Sequence, residues 1–153
     1  MRLAEAIQSM NDENTCLEVL VGCQCYFDKI EDISGVFANG GVDSPSDMRK
    51  ILNECTSIYL ALKPLLALAE TEKANREVIY YNKAKIVIEA QGGKFVATAM
   101  DKEASAHVSN YRRVRNILDG YVETLKVAIS TCQSSLKSIG EENRITMSPT
   151  QGN

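Results

Sequence analysis

Val108-Ser-Asn-Tyr111-Arg-Arg-Val-Arg115-Asn-Ile-Leu118-Asp-Gly-Tyr-Val122-Glu-Thr-Leu125-Lys-Val-Ala-Ile129-Ser-Thr-Cys132-Gln-Ser-Ser-Leu136-Lys-Ser-Ile139 is the stretch that decides the fold. Its numbered positions recur at alternating intervals of three and four residues, and nine of the ten tolerate burial. A strand returns to the same face every second residue, whereas a helix does so every third or fourth. The spacing predicts one helix from about Asp101 to Ile139, with a coiled-coil-like seam at the a and d positions of a heptad. Gly120 lies off the seam and weakens the helix by only about 1 kcal/mol relative to Ala.

Upstream, Ser44-Pro45-Ser46 marks a start, with Ser44 or Ser46 as the cap, and a second helix is predicted from about Pro45 to Ala90. Ile51, Cys55, Ile58, Leu62, Leu65 and Ala69 form its apolar seam. Pro64 predicts a bend near Ala61 to Lys63, or two helices meeting there. Past Ala69 the same register meets Glu72, Arg76 and Lys83, so the apolar stripe shifts to Val78, Tyr81, Ala84 and Ile88. Gln91-Gly-Gly-Lys94 is a break, and Phe95 to Met100 suits a turn, a strand or a helix equally.

A first helix is predicted over about Thr15 to Phe37, capped by Asn14 or Thr15, with Leu17, Leu20, Val21, Phe27, Ile30, Ile33 and Phe37 on its apolar side. The fold class that follows is all-α, with long amphipathic helices in an antiparallel hairpin or bundle. Residues 1–140 are expected as a single domain, comprising an acidic helical part (15–37) and a long helical hairpin (46–139), followed by a flexible tail (141–153).

With 44% hydrophobic and 24% charged residues the chain has the makings of a core, which disordered chains lack. The opening residues carry Asp12 and Glu13 where a signal peptide needs an apolar run. The most apolar stretch, Ile58 to Ala69, is short and interrupted by Lys63 and Pro64, so a soluble protein of the (host) cytoplasm without membrane contact is expected. Five cysteines, at positions 16, 23, 25, 55 and 132, are scattered and odd in number, and read as reduced thiols filling helical faces. Neither their spacing nor the lone His107 suits a metal site, and no cofactor is expected.

The net charge of −3 is unevenly spread. Met1 to Asp47 holds 9 acidic and 2 basic residues, whereas Lys73 to Arg115 holds 9 basic and 4 acidic. A basic stretch of this kind suits phosphates, which attract charge without carrying sequence information. Arg112, Arg113 and Arg115 form one cluster, and Lys73, Arg76, Lys83 and Lys85 form another. Tyr80, Tyr81 and Tyr111 lie among them as possible stacking platforms for unpaired bases. The same residues also admit a plainer reading, with tyrosines in a core and arginines paired to Glu77, Glu89 or Glu103. No phosphate-cradling loop or nucleophile–base pair appears. His107, with Glu103 one turn before and Tyr111 one turn after, reads as a solvated helical face, and the chain is expected not to be an enzyme.

Tyr81-Asn-Lys-Ala-Lys85, Asp101-Lys-Glu-Ala-Ser-Ala-His-Val-Ser-Asn-Tyr111, and Leu118 through Val122-Glu-Thr-Leu-Lys-Val-Ala-Ile-Ser-Thr-Cys-Gln-Ser-Ser-Leu-Lys137 resemble small helical bacteriophage proteins of replication and recombination. Within that group the chain resembles recombination mediators of the UvsY type over roughly Leu68 to Glu142. The resemblance implies a homo-oligomer that helps a recombinase load on single-stranded DNA covered by its single-stranded-DNA-binding protein. It implies Lys83, Lys85, Lys94 and Lys102 on the DNA-facing side and Leu118, Leu125, Ile129 and Leu136 in association; Arg112 and Arg113 join the DNA-binding candidates from the charge pattern alone. The acidic Thr15 to Phe37 helix has no counterpart there. The expected function is a non-enzymatic phage accessory protein that binds single-stranded DNA and partner proteins in recombination or replication. The alternatives are a protein-interaction module or inhibitor of a host or defence protein acting through the acidic surface, and a structural helical subunit.

Overall fold

The computed structural model describes residues 2–147, and among them all regular structure is helical: α1 (Leu3–Ser9), α2 (Glu13–Ala38), α3 (Pro45–Ala90), α4 (Ala97–His107) and α5 (Ser109–Met147). The all-α class and the helix-on-helix packing expected from the spacing are what the chain adopts.

Local chemistry sets the helix ends. At the start of α2 the Thr15 backbone N–H donates to the Asp12 carboxylate at 2.8 Å, and the Asp12 N–H donates back to the Thr15 hydroxyl at 3.2 Å. This reciprocal box makes Asp12 the cap, ahead of the expected Asn14 or Thr15, and the hydrogen bonds from Thr15 hold the Asp12 carboxyl below the usual carboxylate range. Ser44 caps α3, accepting the Asp47 N–H on its hydroxyl at 3.4 Å, with Pro45 in the first helical position, where its missing donor costs nothing. α2 and α3 both stop at glycines in the left-handed region, Gly40 (φ 102°) and Gly92 (φ 71°). At these stops Gly41 N–H reaches the Val36 carbonyl and Gly93 N–H the Ile88 carbonyl, each at 2.9 Å.

Of the two alternatives at Pro64, α3 takes the one-helix form and runs unbroken through the proline. One expectation about helix continuity is corrected. The single helix expected from Asp101 is instead two, because the backbone of buried Val108 leaves the helical region (φ −98°, ψ 19°) between α4 and α5. α5 also continues past Ile139 and through Gly140 to Met147, so the first part of the expected tail is helical; positions 148–153 of that tail lie outside the described residues.

The chain divides into two compact units, one of residues 1–24 and 63–120, the other of 25–62 and 121–153. Within α3 the division falls between Leu62 and Lys63, beside Pro64, whose ring withholds the N–H that the Leu60 carbonyl would accept.

In the first unit Ile7 and Met10, Cys16, Val19 and Cys23 of α2, Leu66 and Ala69 of α3, Met100 and Ala104 of α4, and Val108, Tyr111, Val114 and Leu118 form the core. The Tyr111 hydroxyl donates to the Met10 carbonyl, and Arg76 Nη2 donates to the Gln8 carbonyl at 2.7 Å, so α1 and the turn after it are tied to α5 and α3. In the second unit Phe27, Ile30 and Ile33, Met48, Cys55, Ile58 and Leu62, and Val122, Leu125, Ala128 and Cys132 are buried. Phe27 stacks on Tyr121 with centroids 4.0 Å apart and 8° between planes. The Tyr121 hydroxyl donates to Glu31 at 2.6 Å, and that bond, stronger to a phenol than to a phenolate, pushes the Tyr121 pKa up to about 12.

The buried faces differ from the expected seams by about one residue in places. On α2 the core takes Cys16, Val19 and Cys23, while Leu17 and Val21 stay exposed, Val21 by 71%. On α5 Val114 takes the core position expected of Arg115, which is half-buried, and Ala128 is buried beside half-buried Ile129. By length and composition α3 also passes as a membrane-crossing helix; its Ile58, Leu62, Leu66 and Ala69 are spent on protein packing.

Four of the five cysteines (16, 23, 55 and 132) are buried, and Cys25 is exposed. Burial pushes the Cys55 thiol up to about 11 and raises Cys16 and Cys132. Because the thiolate is the nucleophile, alkylation of the native protein is expected to modify Cys25 rapidly. The other four should react only as fast as the fold opens, and all five after unfolding. Mass measurement over time checks this, and rapid native labelling of Cys55 would contradict the burial.

Candidate nucleic-acid interface

The basic stretch is organised by ring contacts between α3 and the segment that follows it. Tyr80 and Tyr81 are half-buried neighbours on α3, one helical step apart, and therefore meet different partners. Tyr80 stacks on His107 at the end of α4, with centroids 4.4 Å apart and planes inclined by 24°. Tyr81 meets Phe95 edge-on at 5.4 Å, and Lys85 Nζ lies 5.8 Å from the centroid of the same Phe95 ring. These contacts fold α4 back along the last turns of α3 and bring Lys83, Lys85, Lys94 and Lys102 onto one hairpin. All four lysines are exposed, and none forms an ion pair among the described residues. Lys83 and Lys85 stand on opposite flanks of the hairpin, Lys83 with Tyr80 and His107, Lys85 with Phe95.

The arginines are placed differently. Arg112 is half-buried, donates to the Ser105 carbonyl at 3.3 Å and to its hydroxyl, and faces Glu77 at 3.9 Å, a carboxylate that also accepts from Lys73 Nζ at 2.9 Å. Arg113 faces Glu13 at 3.6 Å. Pairs this exposed contribute at most about 1 kcal/mol each, but they occupy the positive charge that phosphate would otherwise meet. Tyr111 is buried under the Arg76 guanidinium, 4.9 Å from the ring centroid, and burial raises its phenol pKa; it supports the core and offers no stacking face.

Tyr80, His107, Lys83, Arg76, Asn75, Ile79 and Glu72 line a groove of about 580 Å³. Arg76 and Lys83 belong to the basic cluster read from the sequence, whereas His107 was not legible there as part of this site. Helical spacing points His107 at Glu103 and Tyr111, its own neighbours, and only the return of α4 along α3 brings it to Tyr80.

Of the residues expected in association, Leu118 and Leu125 are buried within the protomer's own core, and Ile129 and Leu136 are half-buried. Among the described residues no group of three His, Cys, Asp or Glu side chains is placed to hold a metal ion. Compared with protein-family models, curated proteins and solved structures, the chain matches none of them.

Proposed function

We propose that this chain is a non-enzymatic accessory protein that binds single-stranded DNA and partner proteins in recombination or replication, in the manner of the bacteriophage mediators its sequence resembles. The observation that carries the reading is the α3–α4 hairpin, which carries four exposed lysines without ion-pair partners among the described residues, Lys83 beside Tyr80 and Lys85 beside the Phe95 ring that Tyr81 meets. Lysines in this state attract the phosphate backbone and release its counterions, and flat rings beside them tolerate any base. Each patch is modest alone and gains from association of several copies through avidity.

A second reading, a protein-interaction module, is favoured by α2, where exposed Leu17 and Val21 flank Glu18. An apolar strip bordered by carboxylates suits a basic protein partner and repels nucleic acid.

Oligonucleotide affinity over a salt series separates the two. Affinity should fall linearly on logarithmic axes for the intact protein. A variant with Lys83, Lys85, Lys94 and Lys102 all changed to Ala should have a slope shallower by up to ~3. Arg112→Ala with Arg113→Ala should leave the slope nearly unchanged, since those charges are already paired. Leu136→Asp, if shown folded and monomeric, should bind more weakly than its charge alone explains. Undetectable binding by the folded protein at low salt would discard the DNA reading and leave the protein-interaction reading in front.

A further inference from the structure

The groove between the second half of α3 and the end of α4 has a lining whose parts differ in kind. One wall is the Tyr80–His107 stack, with centroids 4.4 Å apart. Tyr80 is half-buried and His107 exposed, so the imidazole is the outer ring, and its exposed surface is the part that Tyr80 does not cover. Two cations stand beside this stack. Lys83 is exposed and free of ion pairs among the described residues. Arg76 is held in place before any ligand arrives, by the Gln8 carbonyl at 2.7 Å and by the Tyr111 ring beneath it. Its Nε lies 3.5 Å from Glu72, which is the one carboxylate in the lining and is already turned to Arg76.

A flat ring with an uncovered face beside a flexible point charge matches the two halves of a nucleotide. Every base has a π-face, so stacking on the imidazole is indifferent to sequence. An ammonium meets phosphate as a compact charge, whereas the Arg76 guanidinium, with Nη2 on the Gln8 carbonyl and Nε toward Glu72, is committed within the protein and fixes the wall of the groove. The groove volume of about 580 Å³ falls in the ordinary range for small-molecule sites.

We propose that this groove seats one nucleotide of a bound single strand, the base stacked on the outer face of His107 and the adjoining phosphate held by Lys83. The proposal rests on the single-stranded-DNA reading and goes beyond it, because it names a built seat and adds His107 to the surface lysines. It also predicts that a strand engages through bases as well as through charge. Asn75, on the same lining, supplies a polar edge that both donates and accepts, so it discriminates little between bases.

His107 is the chain's single histidine, so its imidazole protons give one isolated set of proton NMR signals. The intact protein is titrated at low salt with a short oligodeoxyadenylate, while anisotropy of a labelled copy of the same strand follows binding. The imidazole signals are expected to move upfield as the purine ring current falls on them. An abasic strand of the same length, or inorganic phosphate, is expected to produce no upfield movement. His107→Ala should lower affinity by about tenfold, and His107→Phe, which keeps a flat ring, should restore most of it. Lys83→Ala should make the salt slope shallower by about one. Saturation of the protein by the oligonucleotide with unmoved His107 signals overturns the seat and leaves single-stranded-DNA binding standing. Unchanged affinity in a folded His107→Ala variant does the same. No binding of the strand at low salt overturns both.

Discussion

Leu118→Asp is expected to abolish folding. Leu118 is fully buried in the first unit, on the face of α5 that also buries Val114. The substitution removes a packed apolar side chain, at a cost of about 2–5 kcal/mol. It also places a carboxyl group where nothing solvates or pairs it, at an effective penalty of several kcal/mol if ionised. Together these approach the whole stability of a typical domain, about 5–15 kcal/mol. Far-UV circular dichroism should show loss of helix at neutral pH, with partial recovery in mild acid if the carboxyl becomes neutral. A folded variant with native helix content would show that Leu118 faces a space able to admit water. Loss of DNA binding in this variant therefore reports unfolding, and association has to be tested at half-buried Leu136 instead.

Leu125→Ala is the second large effect. Leu125 is 1% exposed, on the face of α5 that includes Val122, Ala128 and Cys132. The removed methyl groups leave a cavity that helix backbones cannot collapse into, and a loss of about 2–5 kcal/mol is expected in a denaturant titration. Lys126, one position on, is exposed, and its ammonium pairs with Glu123 at 2.5 Å. Lys126→Ala should cost no more than about 1 kcal/mol, because an exposed pair contributes little. A difference between the two variants smaller than about half a kcal/mol would mean that α5 does not bury this face.

The contrast between those two neighbours was legible in the sequence, and so was much of the architecture. Polypeptide helices advertise themselves by periodicity and by their ends. The seam of α5, the Ser44-Pro45 start, and the glycines at 40–41 and 92–93 are local signals whose meaning depends on residues a few positions away. α3 accordingly begins and ends where the sequence predicts, at Pro45 and Ala90. α1 was missed because Leu3–Ser9 is too short to show a period, and its Ile7 is recognisable as core only once the fold has buried it.

The sequence by itself therefore determined the helical class, the limits of α2 and α3 to within about two residues and the approximate apolar face of each long helix. The tertiary structure decided which residue at the edge of a face is buried, since one step along a helix turns the side chain by about 100° and only the partner's surface selects between Leu17 and Cys16, or Arg115 and Val114. It also decided which charges remain for a ligand. Arg113 meets Glu13, and Arg76 meets the Gln8 carbonyl, across separations along the chain at which no local pattern operates. His107 became part of a candidate site for the same reason: its ring partner, Tyr80, comes from another helix, and proximity between helices is a property of packing, not of spacing.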